Sequence, residues 1–509
     1  MRKTRCIMLQ GTSSHVGKSL LCTALCRIFY QDGYRTAPFK AQNMALNSTV
    51  TPDGGEIGRA QGVQAEAAGV SASVLMNPIL LKPKQDMQSQ VVVLGSPVAD
   101  MSARDYRSDF LPGAVSLVQD CIERLKKQYE VLIIEGAGSP AEVNLKDRDI
   151  VNMKTARLAE SPVLLVADID RGGVFASLIG TLELLDADER ELVKGFIVNK
   201  FRGDLELLKP GLDFLTEKTG IPVLGVVPYL HDHGIDEEDS VSLAGHKFWG
   251  EADAPIQIAV LQLPRISNFT DIDAFIGLPD TRIRYIKKGE AIGKVDMLII
   301  PGTKNSILDL LYIKDEGYER EILKLAQEGA IIAGICGGYQ MLGEKLFDPL
   351  ETEAGVGSLD GLGLLPVTTT FENQKSTHQV EGEILEQEGF WKSIQGQSVS
   401  GYEIHMGRSE VRQDADHLIV IKSRSNQPET VMDGAAAPGG RVFGTYLHGI
   451  FDNPNLMLAL VNDLRQAKNL PVLNEEDLPL YHKQHKYDIL AQTVRESLNM
   501  NHLYQIMGL

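Results

Sequence analysis

Short apolar runs alternate with helical stretches along the first half of this chain, and this alternation restricts the folds that it can adopt. Short runs rich in apolar and β-branched residues are typical of strands that are buried in a sheet. Strands separated by helices favour a mainly parallel sheet covered by helices, which is an α/β fold. The runs that we predict to be strands are residues 6–10, 35–39, 131–134, 163–167, 196–199 and 223–227.

A second series of strands begins after an acidic, histidine-containing stretch at residues 231–240, which breaks the rhythm of the first series. After residue 451 the pattern becomes helical and polar. A chain of 509 residues is too long for one hydrophobic core. We therefore predict two α/β domains at residues 1–245 and 251–455, followed by a C-terminal helical tail at 456–509. The predicted strands of the second domain are residues 256–262, 297–300, 331–335 and 442–446.

The composition is that of an ordinary globular protein, with 43% hydrophobic and 23% charged residues. The net charge of −18 argues against a general nucleic-acid binder, because such proteins normally display a basic face. No apolar run is long enough to span a bilayer, and the first residues lack the apolar core of a signal peptide. We therefore expect a cytoplasmic protein that binds neither nucleic acid nor membrane. Of its five cysteines, only Cys336 has neighbours that suggest chemistry.

The segment from Gly11 to Ser19 follows a predicted strand and opens a predicted helix. Glycines such as Gly11 and Gly17 let the backbone approach phosphates, and amide groups at a helix N-terminus point toward an anion. Lys18 would neutralise the outer phosphates, and Ser19 would hold Mg²⁺. The loop is one residue longer than the strict P-loop signature, whose first glycine would fall at Thr12. The segment therefore predicts a site that binds ATP with Mg²⁺.

Further residues of the first domain fit such a site. Glu135 follows the strand at residues 131–134, and a carboxylate at the carboxyl end of a strand is well placed to bind Mg²⁺ in an open α/β sheet. The long loop resembles that of the dethiobiotin synthetase family of ATPases. This resemblance implies that Lys40 lies near the transferred phosphate, that Glu56 is a second Mg²⁺ ligand and that Asn199 contacts the base. A surface or turn role is the alternative for each of them.

Cys336 ends another apolar strand and is followed by Gly337 and Gly338 at the predicted start of a helix. This arrangement is typical of a nucleophile elbow, since small residues allow a sharp turn that exposes the sulfur and the helix N-terminus stabilises a thiolate. The base for such a cysteine meets it in space rather than in sequence. We predict this base to be His448, which follows a late strand. Gly302, in a glycine turn, is the candidate to aim a backbone N–H at the oxyanion.

These residues resemble class I glutamine amidotransferase domains, in which a cysteine, a histidine and usually a glutamate form a triad. The glutamate normally lies two residues after the histidine, and that position is Ile450 here. Either a carboxylate elsewhere orients His448, or the site works as a dyad. His405 has either a role in this site or a structural hydrogen bond. We interpret His231 and His233 as part of a solvated loop rather than a metal site.

Five longer segments resemble the cobyrinate amidases, which join such an ATPase to such an amidotransferase. The resemblance implies ATP- and glutamine-dependent amidation of the b, d, e and g carboxylates of the corrinoid adenosylcobyrinic acid a,c-diamide. Each amidation would use one ATP and one glutamine. Lys82, Lys84, Arg148 and Arg171 are candidates to hold the carboxylates of the corrinoid, with exposed salt bridges as the alternative. The five segments are residues 40–48, 78–83, 138–145, 168–175 and 401–407.

Two other functions remain open from the sequence. The chain could amidate the a and c carboxylates instead, as the sister enzyme cobyrinic acid a,c-diamide synthase does, although the five segments argue against it. It could also be a P-loop switch ATPase that carries a non-catalytic amidotransferase-like module. The intact elbow at Cys336 and the presence of His448 argue against this second alternative.

Overall fold

The computed structural model of the protein describes residues 3–509 except 86–87, 103–104, 107–109, 147–148, 231–234, 236–247 and 354. The chain forms two compact units. The first unit contains Met1–Ala45, Ile57–Glu238 and Gln484–Leu509, and the second contains Leu46–Glu56 and Asp239–Lys483. These units differ from the predicted ranges: residues 46–56 and the first part of the predicted tail, 456–483, belong to the second unit, residues 484–509 belong to the first, and the boundary lies after residue 238.

All ten predicted strands are present, and their ends differ from the predicted ends by at most three residues. The strands of the first half are β1 Arg5–Gly11, β2 Thr36–Phe39, β3 Gln42–Met44, β4 Ser48–Val50, β5 Glu56–Gly58, β6 Ile79–Gln85, β7 Gln88–Val93, β8 Ser96–Ser102, β9 Val131–Glu135, β10 Val163–Asp168, β11 Val193–Phe201 and β12 Val223–Pro228. Those of the second half are β13 Phe248–Trp249, β14 Ile256–Leu261, β15 Thr281–Ile286, β16 Met297–Ile300, β17 Ile331–Ile335, β18 Lys345–Asp348, β19 Gly357–Asp360, β20 Val367–Ile384, β21 Ser398–Val411, β22 His417–Arg424, β23 Gln427–Ala436 and β24 Val442–Thr445.

Helices lie between several of these strands. No helix in the described part of the chain is long and apolar enough to cross a membrane. The α-helices are Lys18–Gln31, Arg59–Ala67, Leu111–Lys126, Met153–Ala159, Val174–Leu184, Ala187–Arg190, Leu205–Thr219, Ser306–Asp315, Tyr318–Gln327, Gly337–Leu342, Pro454–Ala467, Lys483–Ser497 and Met500–Met507. The 3-10 helices are Val74–Met76, Phe269–Phe275, Gly389–Ile394, Ile450–Asp452, Glu475–Asp477 and Pro479–His482.

The first unit is built on a parallel sheet whose described strands have the order β12-β11-β10-β1-β9-β2. The side chains of β9 and β10 are buried throughout, as expected for strands covered on both faces. From β1 the chain continues to β2 and β9 on one side and then crosses to β10, β11 and β12 on the other side, so the strand order reverses at β1. Ligands of open α/β sheets bind beyond the carboxyl ends of the strands at this point. The fold therefore places the loop after β1, at residues 12–17, where a ligand is expected.

Two helices near the end of the chain pack on the first unit. Tyr487, Leu490 and Val494 of the Lys483–Ser497 helix share a buried apolar cluster with Leu21 and Leu25 of the Lys18–Gln31 helix. The Pro454–Ala467 helix instead packs in the apolar core of the second unit. The residues of the predicted tail are thus divided between the two cores.

The second unit contains a mixed sheet whose described strands have the order β13-β15-β14-β16-β17-β24-β23-β22-β20-β18-β19, with β21 paired to β20. Its section β15-β14-β16-β17-β24 is parallel. The predicted elbow at Cys336 follows β17, and His448 follows β24, which is the neighbour of β17. Because the carboxyl ends of parallel neighbours lie at the same edge of a sheet, the fold brings these two residues to one place.

Candidate active site

Two glycines shape the loop after β1. A Cβ atom on Gly11 would lie 2.6 Å from the Nζ atom of Lys18, so any side chain there would displace the lysine. Gly17 has a φ of 96°, a left-handed conformation that favours glycine, and a side chain there would collide with the amide of Asn199. The Lys18–Gln31 helix begins directly after Gly17. The loop thus has the close backbone approach that phosphate binding requires.

The Lys18 side chain is buried and folds back over this loop. Its Nζ atom donates hydrogen bonds to the backbone oxygens of Ser13 and Gly138, each at 3.1 Å. Thr12 N donates to Val166 O at 2.9 Å, which ties the loop to β10. The ammonium group is therefore held by carbonyl groups above the N-terminus of its own helix, where an anion is favoured.

The carboxylate of Glu135, at the end of β9, accepts hydrogen bonds from three side chains. The Ser19 hydroxyl and the Lys40 ammonium group both donate to its Oε1 atom at 2.8 Å. The Gln64 amide donates to its Oε2 atom at 2.7 Å. Lys40 and Glu135 are only 4% and 1% exposed, so they form a buried ion pair. The structure thus brings together three residues that the sequence predicted to surround the phosphates and Mg²⁺.

Gln64 was not predicted from the sequence. It lies in the Arg59–Ala67 helix and is fully buried, and no motif distinguishes it from other helical glutamines. Asn77 connects this helix to Lys40, because it accepts a hydrogen bond from Gly58 N at 3.0 Å and donates to Lys40 O at 3.1 Å. The Ser19 hydroxyl and the Glu135 carboxylate are oxygen ligands of the kind that Mg²⁺ prefers, so these residues fit the predicted ion.

Asn199 and Lys200, at the end of β11, hold the same loop. The Asn199 amide donates to Val16 O at 2.8 Å, and Lys200 donates to His15 O at 2.7 Å. Lys200 also donates to the Asp168 carboxylate at 3.0 Å. Asn199 therefore lies beside the loop, and its contact with a nucleotide base stays a prediction.

Glu56 belongs to the second unit. Its carboxylate is 1% exposed and accepts hydrogen bonds from Lys375 at 2.5 Å and from the Ser48 hydroxyl at 2.8 Å. The loose match that suggested Glu56 as an Mg²⁺ ligand did not indicate these partners. Its role as a ligand stays a prediction.

The candidates for corrinoid binding have different surroundings. Lys82 lies on β6 and is 3% exposed, so it is not a surface residue. Arg171 follows β10 and is 67% exposed, with its Nε atom 3.7 Å from the Asp168 carboxylate. The side chain of Lys84 and all of Arg148 lie outside the described residues, as do His231 and His233.

Cys336 has the backbone geometry of an elbow. Its φ and ψ are 52° and −106°, which is an uncommon conformation for a residue with a side chain. Its N–H donates to Thr445 O on β24 at 2.8 Å, and its sulfur lies 3.5 Å from Ile404 O. A Cβ atom on Gly338 would collide with Ile300 O, so the turn requires glycine there. The sharp turn predicted from the sequence is present.

His448 is buried beside Cys336 and contacts a carboxylate that the sequence did not indicate. Its Nδ1 atom is 2.7 Å from Asp271 Oδ2, and both residues are less than 5% exposed. Burial alone lowers the pKa of His448, but the Asp271 carboxylate and a hydrogen bond with Cys336 together raise this pKa to about 10. The Tyr402 ring stacks on the imidazole at 5.2 Å. The imidazolium form is thus strongly stabilised.

The contact between Asp271 and His448 answers the question that Ile450 left open. Ile450 is fully buried among apolar residues, and Asp271 comes from the Phe269–Phe275 helix, 177 residues before the histidine. A carboxylate elsewhere therefore contacts His448. No spacing rule connects two residues so far apart, and the stretch around Asp271 reads as an ordinary apolar segment with two aspartates.

Gly302 lies against the imidazole ring. A Cβ atom on Gly302 would be 2.9 Å from His448 Cε1 and 3.0 Å from Ser267 O, so a side chain would displace the ring. This close approach places the backbone of Gly302 at the site. Its N–H group as an oxyanion donor stays a prediction.

His405 makes a structural hydrogen bond, which is one of its two predicted roles. Its Nδ1 atom is 2.7 Å from Gly407 O, and its ring stacks on Tyr446 with centroids 3.7 Å apart. Both residues line a cavity of about 770 Å³ together with Glu403 and Arg424. The contact of this strand with the sulfur of Cys336 comes from the backbone oxygen of the neighbouring residue, Ile404.

Residues 7–240 match the family model of the CobQ/CobB/MinD/ParA nucleotide binding domain, and residues 257–456 match that of the CobB/CobQ-like glutamine amidotransferase domain. The fold, the P-loop and the elbow thus define an ATP-using, glutamine-dependent ligase. The cobyric acid synthases of Desulforamulus reducens, Moorella thermoacetica and Salmonella typhimurium are 59%, 51% and 48% identical to the chain. These alignments cover 99–100% of this chain and 98–99% of each relative.

The chain belongs to the cobyric acid synthase family. This membership rests on the identity and on the coverage of both chains from end to end. The fold class, the family resemblance and the glutamine-dependent ligase activity predicted from the sequence are confirmed.

Proposed function

We propose that the chain amidates the b, d, e and g carboxylates of adenosylcobyrinic acid a,c-diamide to give cobyric acid, in the cytoplasm, during cobalamin biosynthesis. The observation that carries this proposal is the presence of both required sites in a chain that is similar throughout to cobyric acid synthases. One site joins Lys18, Ser19, Lys40 and Glu135, and the other joins Cys336 to His448.

The first site would activate the carboxylate. A carboxylate resists ammonia because hydroxide is a poor leaving group, so the substrate oxygen attacks the γ-phosphorus of ATP and ADP leaves. Lys18 and Lys40 would disperse the charge on the transferred phosphoryl group. Ser19 and Glu135 would hold Mg²⁺, which neutralises phosphate oxygens when it is bound. The resulting acyl phosphate carries phosphate as its leaving group.

The second site would release ammonia from glutamine. The sulfur of Cys336 attacks the side-chain amide carbon, while His448 takes the thiol proton and delivers it to the leaving nitrogen. Water then hydrolyses the thioester to glutamate and restores the thiol. The Gly302 N–H group would donate to the oxygen that becomes negative during both attacks.

The two reactions meet at the acyl phosphate. Ammonia attacks its carbonyl carbon, the bond to the phosphate oxygen breaks, and the products are the amide and inorganic phosphate. Arg171 supports the proposal for the corrinoid, because it is exposed and follows β10, whose carboxyl end lies beside that of β1. Its guanidinium group could pair with a substrate carboxylate.

Mass spectrometry of a time course tests the substrate. With adenosylcobyrinic acid a,c-diamide, ATP, Mg²⁺ and glutamine, we expect four successive carboxyl-to-amide steps. The sister activity would leave the a,c-diamide unreacted and would add two amides to the unamidated acid. A switch ATPase would change the mass of neither compound. An unreacted a,c-diamide would therefore contradict the proposal.

A further inference from the structure

Both carboxylate oxygens of Asp271 contact two consecutive residues, His448 and Gly449. Oδ2 is 2.7 Å from His448 Nδ1, and Oδ1 accepts a hydrogen bond from Gly449 N at 2.8 Å. A charge buried to this extent is costly unless it is paired and hydrogen-bonded. Asp271 meets both conditions through His448 and its neighbour. The contact with Nδ1 orients the imidazole ring, and the hydrogen bond from Gly449 N holds the carboxylate beside it.

These contacts determine which nitrogen of His448 remains for the reaction. Because Nδ1 is occupied by Asp271, Nε2 is the nitrogen left to exchange a proton with the sulfur. Cys336 and His448 follow the neighbouring parallel strands β17 and β24, and the Cys336 side chain also acts on the pKa of this imidazole. A histidine that donates from Nδ1 to a carboxylate keeps Nε2 free to accept a proton, which a base requires. The order of contacts is therefore carboxylate, imidazole, thiol.

The helix that carries Asp271 is firmly held at its N-terminus. Asn268 accepts a hydrogen bond from Ser48 N at 3.0 Å through its side-chain oxygen, and Phe269 N donates to Asn47 Oδ1 at 3.3 Å. Asn47, Ser48 and the helix belong to the second unit. Since the backbone on which Asp271 stands is fixed in this way, its carboxylate has little freedom to leave the histidine.

The other end of the helix is held to the turn that follows His448. The rings of Phe275 and Phe451 pack edge to face with centroids 4.8 Å apart. Ile450, between His448 and Phe451, is fully buried in the same apolar core. This apolar core occupies the place where class I domains usually have their glutamate. A different segment therefore supplies the carboxylate.

We propose that Asp271 is the positioning carboxylate of the glutaminase site, which holds His448 in its reactive tautomer and stabilises the imidazolium during proton transfer. This inference rests on the proposed function. The titratable groups that face the imidazole are Asp271 from its helix, Cys336 from the elbow and Tyr402 from β21. Of these, Asp271 supplies the buried negative charge beside Nδ1.

The experiment compares Asp271→Asn with Asp273→Asn in the full-length protein. Asn at position 271 has the same size and lacks the charge. Asp273 is the matched control, because residues two apart project from different sides of a 3-10 helix. We measure glutamate release, ammonium-dependent amide synthesis and the pH dependence of glutamine hydrolysis for both variants.

For Asp271→Asn we expect the kcat of glutamine hydrolysis to fall by about 10²–10⁴-fold with little change in KM, as when the carboxylate of a catalytic triad is neutralised. Loss of the charge lowers the pKa of His448. Because the imidazolium delivers the proton to the leaving nitrogen, its earlier deprotonation should move the basic limb of the pH profile to lower pH. Ammonium-dependent synthesis should stay at the wild-type rate. Asp273→Asn should leave all three measurements unchanged.

A fall in kcat of less than about threefold, or an unmoved basic limb, would overturn the inference while leaving the proposed function intact. If the unchanged chain released no glutamate, both would fall. If Asp271→Asn also lost ammonium-dependent synthesis through misfolding, the inference is tested instead by NMR of ¹⁵N-histidine-labelled wild-type protein, which shows which ring nitrogens of His448 carry protons. A proton on Nδ1 of His448 at pH 8, with or without a second proton on Nε2, would support the inference, and a neutral ring protonated only at Nε2 would overturn it.

Discussion

Replacing Glu135 by Gln removes one negative charge from the nucleotide site and preserves the size of the side chain. The carboxylate is 1% exposed and accepts hydrogen bonds from Ser19, Lys40 and Gln64. The Lys40 ammonium group, 4% exposed, would lose the negative charge that lies 2.8 Å away. Removing one partner of a buried ion pair costs roughly 3–5 kcal/mol. We therefore expect the free energy of unfolding of the first unit to fall by about this amount.

The same substitution should stop synthesis from both glutamine and ammonium salt, because the acyl phosphate can no longer form. Adding Lys40→Met removes both charges, so Glu135→Gln/Lys40→Met should regain most of the lost stability without regaining synthesis. Circular dichroism of the helices measures unfolding. Trp249 and Trp391 both lie in the second unit, so tryptophan fluorescence follows that unit separately.

Glutamine hydrolysis is the internal control for Glu135→Gln, because Cys336 and His448 belong to the second unit. We expect glutamate release to persist in both the single and the double variant. Two results would refute the reasoning. One is a single variant with unchanged stability and synthesis. The other is a double variant that is as unstable as Glu135→Gln alone, since relief of the unpaired charge should then have restored stability.

Three further predictions concern other residues. Cys336→Ala should abolish glutamine-dependent synthesis but preserve synthesis with ammonium salt, and loss of both would show that Cys336 is structural. Lys18→Ala should remove synthesis from both nitrogen sources, and ammonium-dependent turnover at saturating ATP would contradict the P-loop assignment. Burial raises the pKa of Asp433 from 3.8 to about 6 despite its hydrogen bonds from Thr445 and Tyr446. The stability that the protonated Asp433 contributes is thus present below pH 4 and lost as the pH rises through 6. Asp433→Asn should therefore be more stable than wild type by roughly 1–3 kcal/mol at pH 7.5 and not at pH 4. Equal stability of the two proteins at both pH values would contradict this prediction.

Most parallel strands of the two main sheets were predictable because their sequences are largely apolar, whereas β15, which carries Arg282 and Arg284, was not predicted. β9 and β10 are buried on both faces, so they appear as uninterrupted apolar runs. The P-loop and the elbow were predictable because each places glycines and a reactive side chain between a strand and a helix. These features depend on residues that are close in sequence.

Strands with few buried side chains were not predicted. β8 has no buried residue, and β20 exposes polar side chains along its middle. Such strands lack a strong apolar pattern, because their stability comes from pairing with neighbours. Sequence patterns therefore identified the centres of the two main sheets and missed the antiparallel additions.

The missing parts of the two sites depend on distant contacts. Gln64 reaches Glu135 across 71 residues, and Asp271 reaches His448 across 177. Neither belongs to a motif, since a glutamine in a helix or an aspartate in an apolar segment has many ordinary roles. Residues 46–56 are a further case, because the sequence gives no sign that they pack in the second unit.

The most direct test of the central claim is transfer of ¹⁸O from the substrate to phosphate. The carboxylates of adenosylcobyrinic acid a,c-diamide are labelled with ¹⁸O, and the protein is supplied with ATP, Mg²⁺ and glutamine. If ATP activates each carboxylate as an acyl phosphate, each amide formed should deliver one ¹⁸O atom to inorganic phosphate. Amide formation with unlabelled phosphate would contradict the account, because the carboxylate oxygen would then have left by another route.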